Sequence, residues 1–473
     1  MTKTLIKNVR IINEGRSFKG SVLIDGKYIA GVYEGDVRPA AQKCTAGRHA
    51  CNGEYEMSSS GDEDMAADVK IIDASGKWLL PGVIDEQVHF REPGLTRKGD
   101  IMSESRAAVA GGVTTFMDMP NTNPQTTTLE ALEWKFRRAS EVSVANYSFF
   151  FGGTNDNAGL IAKLDRKRVP GIKLFLGSST GNMLVDKEDS LRRFFGETDL
   201  LIAVHAEKED IIRRNIAYYT AKYGENPDIS FHPKIRSEEA CYASSSEAVD
   251  LAKKLGTRLH IFHLSTAKEL SLLDRGCVLS ERRITGEACV HHLWFSDDDY
   301  KQYGNLIKWN PSVKTAKDRE ALRNAVNDDT IAVVATDHAP HLPAEKEGGC
   351  LTAASGGPLI QHSLLAMLDM AAAGIFTPEK VVEKMSHHPA DLYHIDRRGY
   401  IREGYYADIV LIDPDKTSTV SKENILYKCM WSPFEGHIFR CSVWKTIVNG
   451  MEIFSDGHVL DALPGMEIVY TPQ

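Results

Sequence analysis

Histidine, aspartate and lysine recur in this sequence where apolar runs end. His89 and Arg91 follow LLPGVID (79–85), Asn121 follows VTTFMDM (113–119), and Lys173 lies inside GIKLFLG (171–177). His205 falls near the end of LIAVHAE (201–207) and His263 near the end of LHIFHLS (259–265). Asp337, His338 and His341 gather at the close of IAVVATDHAP (331–340). Imidazole and carboxylate suit zinc, with iron or manganese as substitutes. Burying several such groups unpaired is costly, whereas around a shared cation they satisfy one another. Lys173, set among Ile172, Leu174 and Phe175, loses solvation as an ammonium and its pKa falls. A neutral amine there can take up CO₂, and the resulting carbamate is a two-oxygen anion able to bridge two metal ions. A snorkelling or ion-paired lysine is the plain alternative.

These residues need elements that bring them together. Adding NYSFFFGG (146–153) and ITGEACVHHLWF (284–295) gives eight apolar strands. They are separated by amphipathic stretches such as TLEALEWKFRRASE and SEEACYASSSEAVDLAKKLG, whose apolar residues recur at three- and four-residue spacing. Strand then helix, eight times, predicts an α/β chain folded as a (β/α)₈ TIM-type barrel, whose C-terminal strand ends form one rim. An open doubly wound sheet is the rival. Both chain ends read differently, as half-buried alternating strands with hairpin signals at Asp25-Gly26 and Asn449-Gly450. Neither end has enough strands to bury a sheet alone. The expected division is therefore a small β-sandwich built from 1–75 and 396–473, with the barrel, 76–395, inserted between. Within the first part, 35–68 loses periodicity and gathers Ser, Gly and acidic residues, as a mobile surface insertion does.

Of the 473 residues, 42% are apolar and 26% charged, which excludes disordered and fibrous classes. A net charge of −9 argues against non-specific nucleic-acid binding. No apolar run reaches the 18 or so residues of a membrane span, and MTKTLIKNVRIINEG lacks the apolar core of a secretory signal. Eight scattered cysteines without a CxxC pair read as reduced thiols. A soluble, cytoplasmic protein is expected.

The segment PGVIDEQVHFREPG (81–94) resembles the first-strand signature of the cyclic amidohydrolases, and MDMPNTNP, GIKLFLGS, HAE, HLS and ATDHAPH follow in the family's order. The likeness runs from about 5 to 455. Within that family the chain is most similar to the dihydroorotases, because HFREPG supplies Arg91 and MPNT supplies Asn121. The resemblance implies zinc, one or two ions per chain with two as the expectation. The ligands it implies are His89, His205, His263, Asp337 and a carbamate on Lys173. It also implies that Arg91, Asn121 and His341 hold a substrate carboxylate, with His89, Asn310, Ser355 and Gly356 contacting the ring. Asp337 would take the proton of the attacking hydroxide and return it to the leaving nitrogen. The reaction implied is reversible hydrolysis of (S)-dihydroorotate to N-carbamoyl-L-aspartate in pyrimidine biosynthesis, by a homo-oligomer such as a dimer.

One position departs from the family's D-x-H-x-H. Gln87 stands where a metal-binding histidine is expected, and an amide oxygen is a weaker zinc ligand than imidazole. Gln87 then ligates weakly, hydrogen-bonds behind the ligands, or leaves one metal site partly empty. The other readings are another cyclic amidohydrolase, of allantoinase or dihydropyrimidinase type, or a non-catalytic partner of a carbamoyltransferase. Remaining features take structural readings: packing or strand-end hydrogen bonding for His291-His292, loop shaping for His232 and Arg236, helix capping for His387-His388. EKEGGC (345–350) reads as a mobile loop beside the site.

Overall fold

The computed structural model describes residues 3–35, 69–177, 183–276 and 278–471. Beyond Gly35, the expected insertion at 35–68 lies outside the described residues.

Both chain ends join one nine-stranded sheet. β1 (Lys3–Asn13), β2 (Arg16–Asp25) and β3 (Tyr28–Glu34) form an antiparallel meander, and β4 (Val69–Asp73) pairs parallel to β1. From the far end of the chain come β15 (Ile409–Asp413), β18 (Ser442–Val448), β19 (Met451–Ser455) and β20 (His458–Val459). The link is β5 (Trp78–Pro81), in which Leu79 pairs with Ile11 on one side and Leu411 on the other. These three side chains belong to a core that the sheet keeps for itself, with Val22, Ile24 and Ile447. The sequence run 79–85 is thus divided: its first residues sit in the terminal sheet, and only β6 (Val83–Val88) enters the barrel. A separate pair, β16 (Ser418–Thr419) and β17 (Ile438–Phe439), completes the C-terminal strands.

The two hairpin signals behave differently. Asn449 and Gly450 form a two-residue loop between Val448 and Met451, both at positive φ (49° and 77°), the backbone that type I′ turns require. At the first hairpin Asp25 remains paired with Tyr28, so the loop is Gly26-Lys27, one residue later than expected.

The barrel strands run parallel. β6, β7 (Val113–Asp118) and β8 (Asn146–Phe149) form one group; β9 (Phe151–Gly152), β10 (Gly171–Phe175), β11 (Leu201–His205), β12 (Leu259–Ile261), β13 (Ile284–Cys289) and β14 (Val333–Ala335) form the other. β8 and β9 are two pieces of the single run NYSFFFGG, so the strand positions number eight. The cylinder closes where Val88 bridges His338 in parallel and the His89 amide donates to the His338 carbonyl at 2.7 Å. Helices cross outside, as their caps dictate. Thr128 starts Leu129–Val142 by accepting from the Ala131 amide, and Ser237 starts Glu238–Leu255, which Gly256 ends at φ 74°.

Two local readings are corrected. ITGEACVHHLWF leaves the strand at Cys289 and turns into the short helix Val290–Trp294, because His291 stacks on Trp309 (4.3 Å between centroids) and His292 Nε2 donates to the Pro311 carbonyl. His387 and His388 cap nothing. His387 accepts from the Glu14 amide and donates to the Gly399 carbonyl, fastening the barrel to the terminal sheet, while His388 donates to the Ala332 carbonyl beside barrel strand β14.

Candidate active site

The C-terminal rim of the barrel surrounds a cavity of about 90 Å³. Its walls include Gln87 within β6, His89 and Arg91 after it, Asn121 after β7, Lys173 from β10, His205 from β11 and His263 after β12. Asn310, Asp337, His341, Ser355 and Gly356 close the circle from the last strands and their loops, and Phe175 and Ala339 fill between. Every site residue expected from sequence therefore faces one cavity. Arg91, His263 and Asp337 all adopt positive φ (69°, 42° and 47°), a conformation that side chains other than glycine rarely take and that clusters at functional sites.

The nitrogen and oxygen atoms meet in two pairs. His89 Nε2 lies 3.1 Å from Asp337 Oδ1, and His205 Nδ1 lies 3.0 Å from His263 Nε2. Each first histidine is oriented from behind. An amide oxygen only accepts, so the 2.7 Å contact with Asn121 Oδ1 puts the His89 hydrogen on Nδ1 and leaves a lone pair at Nε2. His205 Nε2 faces Glu207 Oε2 at 3.2 Å, which turns Nδ1 toward His263. Burial would raise the Glu207 carboxyl, but the Arg236 guanidinium, an ion-pair partner, and His205 hold it at about 2. Burial also lowers His263 well below the usual imidazole range.

Lys173 is 1% exposed and its Nζ has no hydrogen-bond partner, lying over the ring of Phe262 at 4.1 Å. Burial pushes its ammonium down to about 7. Gln87 Nε2 approaches Asp337 Oδ1 at 3.4 Å, and Gln87 Oε1 faces the Cys289 thiol at 3.8 Å. Three imidazoles, one carboxylate and an unpartnered buried amine form a donor set that fits a zinc-like cation.

Another part of the cavity is cationic. Arg91 is 4% exposed; its Nε donates to the Pro340 carbonyl and its Nη2 lies 3.2 Å from His341 Nε2. His341 Nδ1 is in turn 3.1 Å from Lys98 Nζ, and burial with these two cations drives its pKa far down. Among the described residues, Arg91 has no carboxylate within ion-pair distance. Asp118 shapes this wall: it accepts from the Phe90 amide at 2.7 Å and pairs with the fully buried Lys135. Gly356, at φ 123°, lets its loop pass Ala339, whose carbonyl oxygen an added Cβ would meet at 2.7 Å.

Several contributors escape sequence reasoning. Glu207 stands inside the HAE motif yet is recognisable as a positioning group only once Arg236, 29 residues on, is seen beside it. Arg236 thus supports the site as well as its loop. His338 turns away, since its Nδ1 accepts from the Leu359 amide and its Nε2 meets Glu104 at 2.9 Å. His232, as expected, is structural, facing the Trp309 carbonyl. The 345–350 segment is fastened: Lys346 Nζ donates to the carbonyls of Ala354 and Gly356, and Cys350 is buried beside Ile211 and Ile235.

The amidohydrolase family model matches residues 78–453. The chain belongs to the amidohydrolase family. Similar curated proteins are dihydroorotases: that of Halobacterium salinarum is 34% identical over 458 residues, covering 96% of this chain and 99% of the relative. That of Pyrococcus furiosus is 33% identical, covering 88% and 90%. Among solved structures, the L-hydantoinase (dihydropyrimidinase) of Arthrobacter aurescens superposes with a TM-score of 0.87 at 25% identity, covering 99% of this chain and 100% of that one. The dihydropyrimidinase of Brevibacillus agri, at 21% identity and TM-score 0.82, shares the fold. No helix among the described residues is long and apolar enough to cross a membrane.

Proposed function

We propose that this amidohydrolase is a dihydroorotase, opening the cyclic amide of (S)-dihydroorotate to N-carbamoyl-L-aspartate and closing it again in de novo pyrimidine biosynthesis. The observation that carries the reading is Arg91: a buried guanidinium without a carboxylate partner within ion-pair distance among the described residues, lining the same cavity as the His–Asp groups. An uncompensated buried charge is costly. A substrate carboxylate restores the balance, and the guanidinium fork matches its two oxygens. Asn121 adds its free amide NH₂, because its oxygen is committed to His89. His341 lies beside the same seat, and Asn310, whose buried Oδ1 lacks a partner, and the Ser355-Gly356 backbone meet the ring.

His89, His205, His263, Asp337 and Lys173 as its carbamate would hold zinc, one or two ions per chain. Carbamate formation joins the neutral Lys173 amine to CO₂ and releases one proton. Bound there, zinc supplies a Lewis acid for the scissile carbonyl and makes hydroxide available at neutral pH. Asp337 accepts the hydroxide's proton as the C–O bond forms. It then delivers that proton to the ring nitrogen as the C–N bond breaks. Arg91 and Asn121 hold the carboxylate throughout, so the ring cannot rotate away from Asp337. The proposal places the enzyme in the cytoplasm as a homo-oligomer, which light scattering of the purified protein checks.

Purified protein is to be assayed on dihydroorotate, a hydantoin, dihydrouracil and allantoin, alone and with metal content measured. Turnover of dihydroorotate by the chain alone is expected, and Arg91→Ala should lower kcat/KM by about 10- to 100-fold, the loss of charge-assisted hydrogen bonds, while zinc per chain stays constant. Preference for the substrates without a carboxylate would assign the site to the hydantoinase type. Activity only together with a carbamoyltransferase would assign a scaffold role.

A further inference from the structure

Behind the cavity wall, inside the barrel, Glu86 of β6, His260 of β12 and Glu287 of β13 meet with no solvent exposure. One ligand atom from each lies within 4.8 Å of the others. Counting hydrogens shows what is missing. Thr285 Oγ1 donates to the Leu259 carbonyl at 3.3 Å, so it accepts from His260 Nδ1 at 2.8 Å. The lone pair of His260 therefore sits on Nε2, 3.3 Å from Glu86 Oε1. Neither Glu86 oxygen receives a hydrogen bond, and neither does Glu287 Oε2. Glu287 Oε1 is already used, accepting from the His263 amide at 3.0 Å and the Cys289 thiol at 3.1 Å.

With both carboxylates ionised, acceptors thus face acceptors in a fully buried interior, with the Tyr393 hydroxyl the donor beside Glu86, and buried polar groups left in this way are destabilising. Lys173 does not relieve them, since its Nζ makes no hydrogen bond. Once Lys173 is neutral or carboxylated it offers no positive charge either.

We propose that Glu86, His260 and Glu287 bind a divalent cation of the zinc or manganese type, separate from the metal proposed for the active-site cavity. Two carboxylates and one imidazole are an established donor combination for such ions. The ion has a structural consequence. β12 and β13 pair with each other, but β6 is a sheet neighbour of neither, so the cation would tie β6 to a strand pair with which it shares no ladder.

The test is elemental analysis of the full-length protein, produced with zinc and manganese and exchanged into metal-free buffer. The His205→Ala/His263→Ala double variant, which removes the cavity pair, should retain one cation per chain, and Glu86→Gln added to it should remove that cation. Glu86→Gln alone should hold one ion fewer than wild type; equal metal content in the two would overturn the proposal. If Glu86→Gln does not fold, an anomalous difference map from wild-type crystals decides. A peak roughly 2.0–2.2 Å from all three side chains supports the site, and a map without one there overturns it.

Discussion

Nδ1 of His89 donates to Oδ1 of Asn121 across 2.7 Å, and that bond turns the imidazole lone pair toward Asp337. Asn121 therefore has two duties on two atoms: its oxygen sets the tautomer of a metal-ligand candidate, and its NH₂ is left for the substrate. Substitutions separate them. Asn121→Asp keeps an acceptor for His89 but places a negative charge beside the substrate carboxylate. It should retain its zinc while KM for dihydroorotate rises at least about tenfold, the size of one charge-assisted hydrogen bond. Asn121→Ala should lose both, with zinc affinity down by about 10- to 100-fold, as for other groups that orient metal-binding histidines. Zinc titration against a chelating dye, run beside steady-state kinetics, reads the two effects apart.

Gln87 behaves as a hydrogen-bond donor to Asp337 Oδ1 rather than as a group turned outward, with its oxygen against the Cys289 thiol. Replacing it by histidine removes that donor and offers an imidazole on the same wall. Gln87→His should bind zinc about tenfold more tightly or take up more zinc per chain, measured by competition and elemental analysis. An unchanged zinc isotherm would place position 87 outside the metal's reach.

Much of this site was legible because two regularities act together. Apolar runs mark parallel barrel strands, and the rim collects whatever polar groups end them; His89, Lys173, His205, His263 and Asp337 were readable in that way. The family likeness added Arg91, Asn121 and His341, which strand periodicity cannot rank above other loop residues. What stayed hidden depended on partners distant in sequence. β5 reads as the start of a barrel strand, yet Leu79 finds Ile11 and Leu411 in the terminal sheet. VHHLWF is as apolar as a strand, yet it forms a helix in which His291 stacks on Trp309 and His292 donates to the Pro311 carbonyl. Glu86 sits in the first-strand motif without attracting notice, because its acceptors' isolation appears only when His260 and Glu287 arrive from other strands.

Glu207 and Arg236 form a buried ion pair behind His205, and breaking such a pair from one side costs about 3–5 kcal/mol. Arg236→Gln should destabilise the protein by that order in a denaturant titration. It should also lower kcat with little effect on KM, since His205 loses its backing while the carboxylate seat is untouched. The sign with pH follows from Glu207, whose carboxyl lies at about 2 when folded against an ordinary value of 4.5. The folded chain holds fewer protons than the unfolded one in that interval, so the pair's contribution is present above pH 4.5 and is lost as pH falls toward 2. Arg236→Gln should show a shallower acid limb than wild type over that interval.

Lys173 allows a sharper pH test, because carbamate formation consumes the neutral amine. The folded pKa of about 7, set by burial against an ordinary 10.5, leaves roughly half the side chains neutral at pH 7. Had the lysine kept its ordinary value, fewer than about one in a thousand would be neutral there. Protein stripped of metal and of its carbamate should therefore regain activity with zinc and bicarbonate fastest at pH 8, at about half that initial rate at pH 7 and about a tenth of it at pH 6, if CO₂ is held constant. Lys173→Ala should not regain activity at any pH. Carbon-13 bicarbonate gives a readout independent of turnover: a carbamate resonance whose initial rate of appearance has the same pH dependence. A reactivation curve still rising steeply at pH 10 would mean that the amine keeps its ordinary basicity and that burial does not prepare it for CO₂.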